Sequence, residues 1–361
     1  MRIAISAAET SGDLVASALV KSLLELNPEC HIEGMAGDKM AAAGCQTLWH
    51  LNQVNVMGFS EVLKKLPSLL RLRKAMVSHF CEQKPIVFIG VDAPDFNFKI
   101  ERQLKARGTK TVHFVSPSVW AWRSSRIKKI KESTDLMLCM FPFEVDFYKK
   151  HGQEALFVGH PLAETLVPRI GHQQGKKVLL MPGSREAEIK SLLPEMLGAA
   201  RLMKAQDENI CFSLALANTN LQSWVEEQIA GLDIEVSIGD AHQRISQADL
   251  VIVASGTATL EIAMLGVPMV VVYKLSAISY QIAKRLLKTD YVSLPNVILG
   301  KEAVPELLQD EANADNIANS SLQILRTDNT KLVAELSSIH TQLNQGSAQK
   351  SAKAILEFIN A

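Results

Sequence analysis

A chain of 361 residues, 47% hydrophobic and 21% charged, is too long for one ordinary core and apolar enough to build two. Its 38 basic and 38 acidic side chains balance, which gives no sign of a general attraction to nucleic acid and requires any anion site to be local. Five cysteines, widely scattered and never spaced Cys-x-x-Cys, suggest neither a disulfide framework nor zinc, so a reducing compartment fits.

The first residues turn polar after one short apolar run, unlike a signal peptide, and no apolar run approaches the ~20 residues of a membrane-spanning helix. The expectation is a cytoplasmic protein, which leaves room for one that lies on a membrane. Ile3 to Ser6 reads as a buried strand, followed by the turn Glu9-Thr10-Ser11-Gly12-Asp13 and an amphipathic helix through Leu26, the opening of a doubly wound sheet. One glycine in that loop, instead of the three of a dinucleotide fingerprint, does not support a nicotinamide or flavin cofactor. Ser11, Gly12 and the following N–H groups suit an anion at the helix start, and a plain Ser or Asp cap explains them at least as well.

His31 to Gly34 is a second strand, and a helix covers Glu61 to Phe80. Phe59, Val62, Leu63, Leu66, Leu69 and Leu70 follow helical spacing beside Lys64, Lys65, Arg71, Arg73 and Lys74. An apolar stripe with basic flanks suits an interfacial helix, although on pattern alone the core-facing stripe of an ordinary helix is favoured. Ile86 to Val91 has no polar alternation, as in a strand covered on both faces, and it runs straight into Asp92, Pro94 and Asp95. Acids beyond the carboxyl end of a parallel strand face the crevice where such sheets bind ligands. From spacing alone, that role and the capping of a helix near Phe96 are evenly balanced.

A helix over Phe98 to Arg107 and strands over Thr111 to Val115 and Leu136 to Met140 complete a first α/β domain near Val167. Between them, Ser116-Pro-Ser-Val-Trp-Ala-Trp-Arg123 sets two tryptophans beside an arginine outside any helical period, more like a site wall than a core stripe. Ile170 to Lys177 is a polar, glycine-bearing linker. Strands then restart at Val178 to Met181, Ile210 to Leu216, Ile234 to Ser237, Leu250 to Val253 and Met269 to Val272, alternating with helices. The expected domains are residues 1–169 and 170–345, with a last helix within 346–361 folding back onto the first.

Two motifs in the second domain suit a nucleoside diphosphate. Leu180-Met-Pro-Gly-Ser-Arg185 puts a Gly-Ser turn and a guanidinium directly after a strand, where N–H groups and Arg185 can grip phosphate. In Val253-Ala-Ser-Gly-Thr-Ala-Thr-Leu-Glu261, small residues let a phosphate approach the helix start, and Glu261, about two turns in, can accept both ribose hydroxyls.

The stretches Ala8-Glu-Thr-Ser-Gly-Asp13, Gly90-Val-Asp-Ala-Pro-Asp-Phe-Asn97, Ser116 to Arg123, Gly159-His-Pro161, Pro182-Gly-Ser-Arg185, Ala254 to Glu261 and Lys288-Thr-Asp-Tyr-Val-Ser-Leu-Pro-Asn296 resemble, in order, the lipid-A-disaccharide synthase family. That resemblance implies an inverting glycosyltransferase of family 19 with the α/β GT-B fold, two doubly wound Rossmann-like domains facing a central cleft. The implied reaction moves 2,3-diacylglucosamine from its UDP conjugate to the 6-hydroxyl of 2,3-diacylglucosamine 1-phosphate. Its products are a β-1,6 disaccharide 1-phosphate and UDP, with no metal and no cofactor. The implied partners are the two substrates and the cytoplasmic surface of the inner membrane, where the protein would associate peripherally. Nucleic acid is not among them, and an oligomer is left open.

Carried onto this chain, the resemblance makes Asp92 the general base, with Pro94 biasing Ala93 toward an extended conformation and Asp95 left as the helix cap. Donor contacts fall to Ser184, Arg185, Ser255, Gly256, Thr257, Glu261 and Asn296, and acceptor contacts to Glu9, Ser11, Trp122 and Arg123. A UDP-sugar 2-epimerase, a related transferase of peptidoglycan assembly, and a nucleotide-binding module without turnover are the competing readings.

Overall fold

The computed structural model describes residues 1–54, 59–121, 126–169, 175–275 and 289–361, and for residues 59–65 the backbone alone. The chain divides into two compact units, Met1–Glu164 with Asn344–Ala361, and Thr165–Leu343. Each is an α/β unit around a parallel sheet.

The first unit contains strands β1 (Arg2–Ala7), β2 (His31–Ala36), β3 (Gln46–His50), β4 (Val87–Val91), β5 (Lys110–Phe114), β6 (Leu136–Cys139) and β7 (Glu154–Phe157), in spatial order β3-β2-β1-β4-β5-β6-β7. Central strands are covered on both faces, so β4 is buried throughout, whereas the edge strands β3 and β7 are half exposed. That burial explains why the apolar runs of the sequence mark the central strands and miss both edges. One face packs Ile5, Ile89 and Val112 under the helices Thr10–Leu26 and Ser347–Asn360. The other packs Phe88 and Met35 under Phe59–Gln83 and Pro94–Lys105.

The second unit contains β8 (Lys177–Met181), β9 (Cys211–Leu216), β10 (Ile234–Ile238), β11 (Leu250–Ala254), β12 (Met269–Tyr273) and β13 (Glu306–Leu308), ordered β10-β9-β8-β11-β12-β13. Leu180, Ile252 and Val270 pack under the helices Glu186–Gln206 and Ala314–Arg326. The three-residue β13 is a further edge strand with no fully buried position, and the sequence reading lacks it.

The interfacial stripe needs correction. Leu66 and Leu70 are 43% and 53% exposed, but Leu69 packs toward the core cluster of Phe80 and Phe96. Arg73 is buried as well, its guanidinium 5.4 Å from the centre of the Phe96 ring, so it adds no surface charge. The side chains of Phe59, Val62 and Leu63 lie outside the described residues.

Candidate active site

In each sheet the strand order reverses once, between β1 and β4 in the first unit and between β8 and β11 in the second. Loops leaving the carboxyl ends of such a pair run to opposite sides and open a crevice. Among the described residues, the candidates other than Asn296 gather at these two places.

In the first unit, Ala7 of β1 pairs in register with Val91 of β4, which brings Glu9, Ser11 and Asp92 together. The Ser11 hydroxyl donates to Asp92 Oδ2 at 3.0 Å, and Asp92 Oδ1 accepts from the Ala93 N–H at 2.8 Å. Glu9 lies beside them. Desolvation, and then the neighbouring Asp92 charge, raise its carboxyl above the usual range.

The turn carrying Asp92 differs from the expected extended conformation. Asp92 and Ala93 are both left-handed, with φ of 53° and 43°, a state that costs roughly 1–3 kcal/mol per non-glycine residue. Asn97, fully buried, holds the turn: its Nδ2 donates to the carbonyls of Ser6, Val91 and Asp92 at 3.2, 3.2 and 2.8 Å. The Ser6 hydroxyl donates to Asn97 Oδ1 at 2.8 Å, so one side chain ties both strand ends to the helix behind Asp92. Sequence reading missed Asn97, because an asparagine one turn into a helix has no distinguishing spacing.

Neither acid caps that helix. Its N-cap is Ala93, with no side-chain cap, Pro94 fills the first turn, and exposed Asp95 instead pairs with Arg126 at 3.1 Å. The first loop is likewise corrected. Thr10–Leu26 begins without a side-chain cap, and the buried Asp13 reaches across to accept from the N–H groups of Gly37, Lys39 and Met40 at 2.8 to 3.2 Å. Asp13 therefore serves the start of the next helix, Asp38–Ala42, and not that of its own.

Trp122 and Arg123 lie outside the described residues. The start of their loop rests on a buried carboxyl, Glu144, which caps its own helix by accepting from the Phe141 N–H at 3.1 Å and bonds to the side chains of Ser116 and Trp120. Burial pushes Glu144 up from 4.5 to about 8. An acid raised in the folded state keeps its proton while the unfolded chain ionises, so the contribution of Glu144 to stability falls as pH climbs from about 4.5 to 8 and is level outside that window. Each pH unit inside it costs up to about 1.4 kcal/mol. Glu144→Gln should remove this component, and chemical denaturation between pH 5 and 8 should show the wild type losing stability relative to the variant as pH rises. Parallel profiles would refute it. In the Gly159-His-Pro161 motif, burial lowers His160 to about 4, and its neutral Nδ1 accepts from the Leu162 N–H at 3.2 Å. That motif shapes a turn.

In the second unit a cavity of about 480 Å³ opens at the β8/β11 reversal, lined by Gly183, Ser184, Arg185, Ser255, Gly256, Thr257 and Glu261 among others. Gly183 takes φ of 112°, which a side chain would strain. Arg185 is 79% exposed and paired with Glu188 at 2.8 Å, an exposed contact weak enough for a phosphate to replace. Thr257 and Ala258, the first two residues of Thr257–Met264, line this space, whereas the Thr259 N–H donates to the Gly256 carbonyl at 3.2 Å. The Ser255 N–H is likewise taken, because it donates to the Val272 carbonyl at 3.0 Å; only its side chain is available. Glu261 stands one turn into the helix, not two, partly buried, with His242 Nε2 at 2.9 Å from its carboxylate. Sequence reading missed His242, which sits 19 residues away on another helix.

Asn296 has no capacity left for a ligand. It is fully buried, its Nδ2 donates to the Val304 carbonyl and Glu306 Oε1, and its Oδ1 accepts from the Ala303 and Val304 N–H groups, all within 2.8 to 3.0 Å. Glu306 also accepts from the N–H groups of Val292 and Ser293, so Asn296 shapes this loop without reaching the cavity.

The sequence matches the family model described as lipid-A-disaccharide synthetase over residues 3–359. A lipid-A-disaccharide synthase of Methylobacillus flagellatus is 41% identical over 375 residues, covering 99% of each chain. Among solved structures, the calicheamicin glycosyltransferase CalG4 is similar with a TM-score of 0.62 at 14% identity, over 99% of this chain and 98% of that one. A UDP-GlcNAc 2-epimerase of Neisseria meningitidis bound to UDP-GlcNAc reaches 0.63 at 11% identity, over 99% of both chains. Transferase and epimerase share this fold, so the fold does not choose between them; the sequence family does.

Proposed function

The chain belongs to the lipid-A-disaccharide synthetase family, and on that premise we propose that Asp92 is the general base of its glycosyl transfer. It is a glycosyltransferase of the GT-B fold that forms the lipid A disaccharide from a UDP-sugar donor and a lipid acceptor. The observation that carries the proposal is the Asp92 carboxylate, set at the β1/β4 reversal on a left-handed turn and held by Ser11.

The acceptor's 6-hydroxyl gives its proton to Asp92 as its oxygen attacks C1 of the donor sugar from the face opposite UDP. The C1–O bond breaks, its electron pair leaves with the diphosphate, and the configuration inverts. In the second unit, Arg185 and the N–H groups of Thr257 and Ala258 meet the diphosphate, the side chains of Ser184, Ser255 and Thr257 line its path, and Glu261 accepts the ribose hydroxyls. Glu9 and Ser11 position the acceptor beside Asp92. UDP release from UDP-diacylglucosamine, measured with and without acceptor and beside non-acylated UDP-sugars, tests this reading. Acceptor-independent turnover, or conversion of the non-acylated sugar to its epimer, would refute it.

Membrane contact belongs to the same proposal. Among the described residues no helix is long and apolar enough to cross a bilayer, while Leu66 and Leu70 lie exposed on Phe59–Gln83 beside exposed Arg71 and Lys74. Acyl chains must leave a bilayer to reach the site, and exposed leucines with flanking cations suit anionic lipid. Replacing Leu66 and Leu70 together by Ser should lower co-sedimentation with anionic liposomes and leave the melting temperature in place. Undiminished sedimentation would remove this face from the membrane contact.

A further inference from the structure

We propose that a cationic groove beside Asp92 binds the phosphomonoester of the acceptor, with Arg126 as its principal ligand; the proposal rests on the transfer reading above and adds where the acceptor's charge is held. Two cavities meet at Pro94, Pro117, Val119 and Arg126. The inner one, about 360 Å³, reaches Asp92 and the small polar residues Ser116 and Ser118. The outer one, about 300 Å³, lies between the helices Pro94–Lys105 and Ile127–Ser133 and adds Lys99, Arg102 and Lys129 over a floor of Phe98 and Ile130.

Four cations thus face one carboxylate, Asp95, in a chain whose charges cancel overall. Little in the fold uses them. Among the described residues no ion pair engages Lys99 or Lys129, Arg102 only approaches Glu132 at 3.8 Å, and Arg126 holds the exposed Asp95 at 3.1 Å. Such exposed pairs contribute little, and a phosphate dianion, with more charge and a geometry that takes two parallel guanidinium hydrogen bonds, displaces Asp95 from Arg126. Placement matters as much as charge. Arg126 borders both cavities, so a single pyranose ring in the inner one presents its hydroxyl to Asp92 at one end and its phosphate to Arg126 at the other. Two anchors at opposite ends of the ring fix which hydroxyl meets the base.

The test compares two acceptors, diacylglucosamine 1-phosphate and the same lipid without its phosphate. For the phosphorylated acceptor, Arg126→Ala should raise KM about 10- to 100-fold, the size of one charge-assisted contact, and Lys129→Ala less, with donor KM unmoved. Arg126→Lys should recover part of the loss. Wild type should lose a similar factor when the phosphate is removed from the acceptor, and Arg126→Ala should then lose nothing further. Equal losses by the variants on both acceptors, or equal use of both acceptors by wild type, would overturn the phosphate site and leave the transfer reading intact. Absence of transfer to either acceptor by wild type would overturn the transfer reading, and the phosphate site with it.

Discussion

Asp92→Asn lowers turnover by roughly 10² to 10⁴ while donor affinity is nearly kept. A sugar hydroxyl is a weak nucleophile at neutral pH, and Asn preserves the shape and most of the hydrogen bonding of Asp92 without taking a proton. The Ser11 contact at 3.0 Å and the Ala93 N–H contact at 2.8 Å involve the two carboxylate oxygens separately. Substitution therefore keeps an acceptor for one of them and disturbs the other, a small structural change beside the chemical one. Steady-state rates at saturating donor check it, with UDP affinity measured in parallel. A near-normal rate, or a comparable collapse for Asp95→Asn, would move the base elsewhere.

Glu261→Ala weakens UDP binding by one or two hydrogen bonds to a charged group, roughly 1.5 to 3 kcal/mol each. Its neighbour His242 is half exposed, so the substitution strands no buried charge and the loss should appear in affinity, not in folding. Calorimetry with UDP, alongside a melting curve, separates the two. Unchanged affinity would take the ribose contact away from Glu261. Asn296→Ala makes a useful contrast: four buried or half-buried hydrogen-bonding groups lose their partner, so its principal effect falls on the loop.

The central strands were legible because a strand buried on both faces must be apolar without interruption, as in Ile86 to Val91. The edges β3, β7 and β13 were not, since half-exposed strands lack that constraint; the fourth edge, β10, showed because its Ile234, Val236 and Ile238 alternate with polar residues. Within the candidate sites, residues in strand-end loops could be found because the loop's place follows from the strand. Partners supplied from afar could not: Asn97 under Asp92, His242 beside Glu261 and Glu144 beneath Trp120 depend on tertiary packing. Proline chemistry misled at Ala93. The usual extended bias before Pro94 is overridden by Asn97, whose hydrogen bonds hold the turn left-handed.

The division of the chain has a consequence for its synthesis. Residues 165–343 form one unit, yet Ala352, Ile355 and Ile359 of Ser347–Asn360 complete the apolar layer that Leu19, Val20 and Leu23 begin. A ribosome therefore releases the second unit's whole sequence before the first unit can close. For that interval the nascent first unit presents an uncovered greasy face, the kind of surface that chaperones hold and that aggregates when they do not. The unit that begins folding first is, in this chain, the one that finishes last.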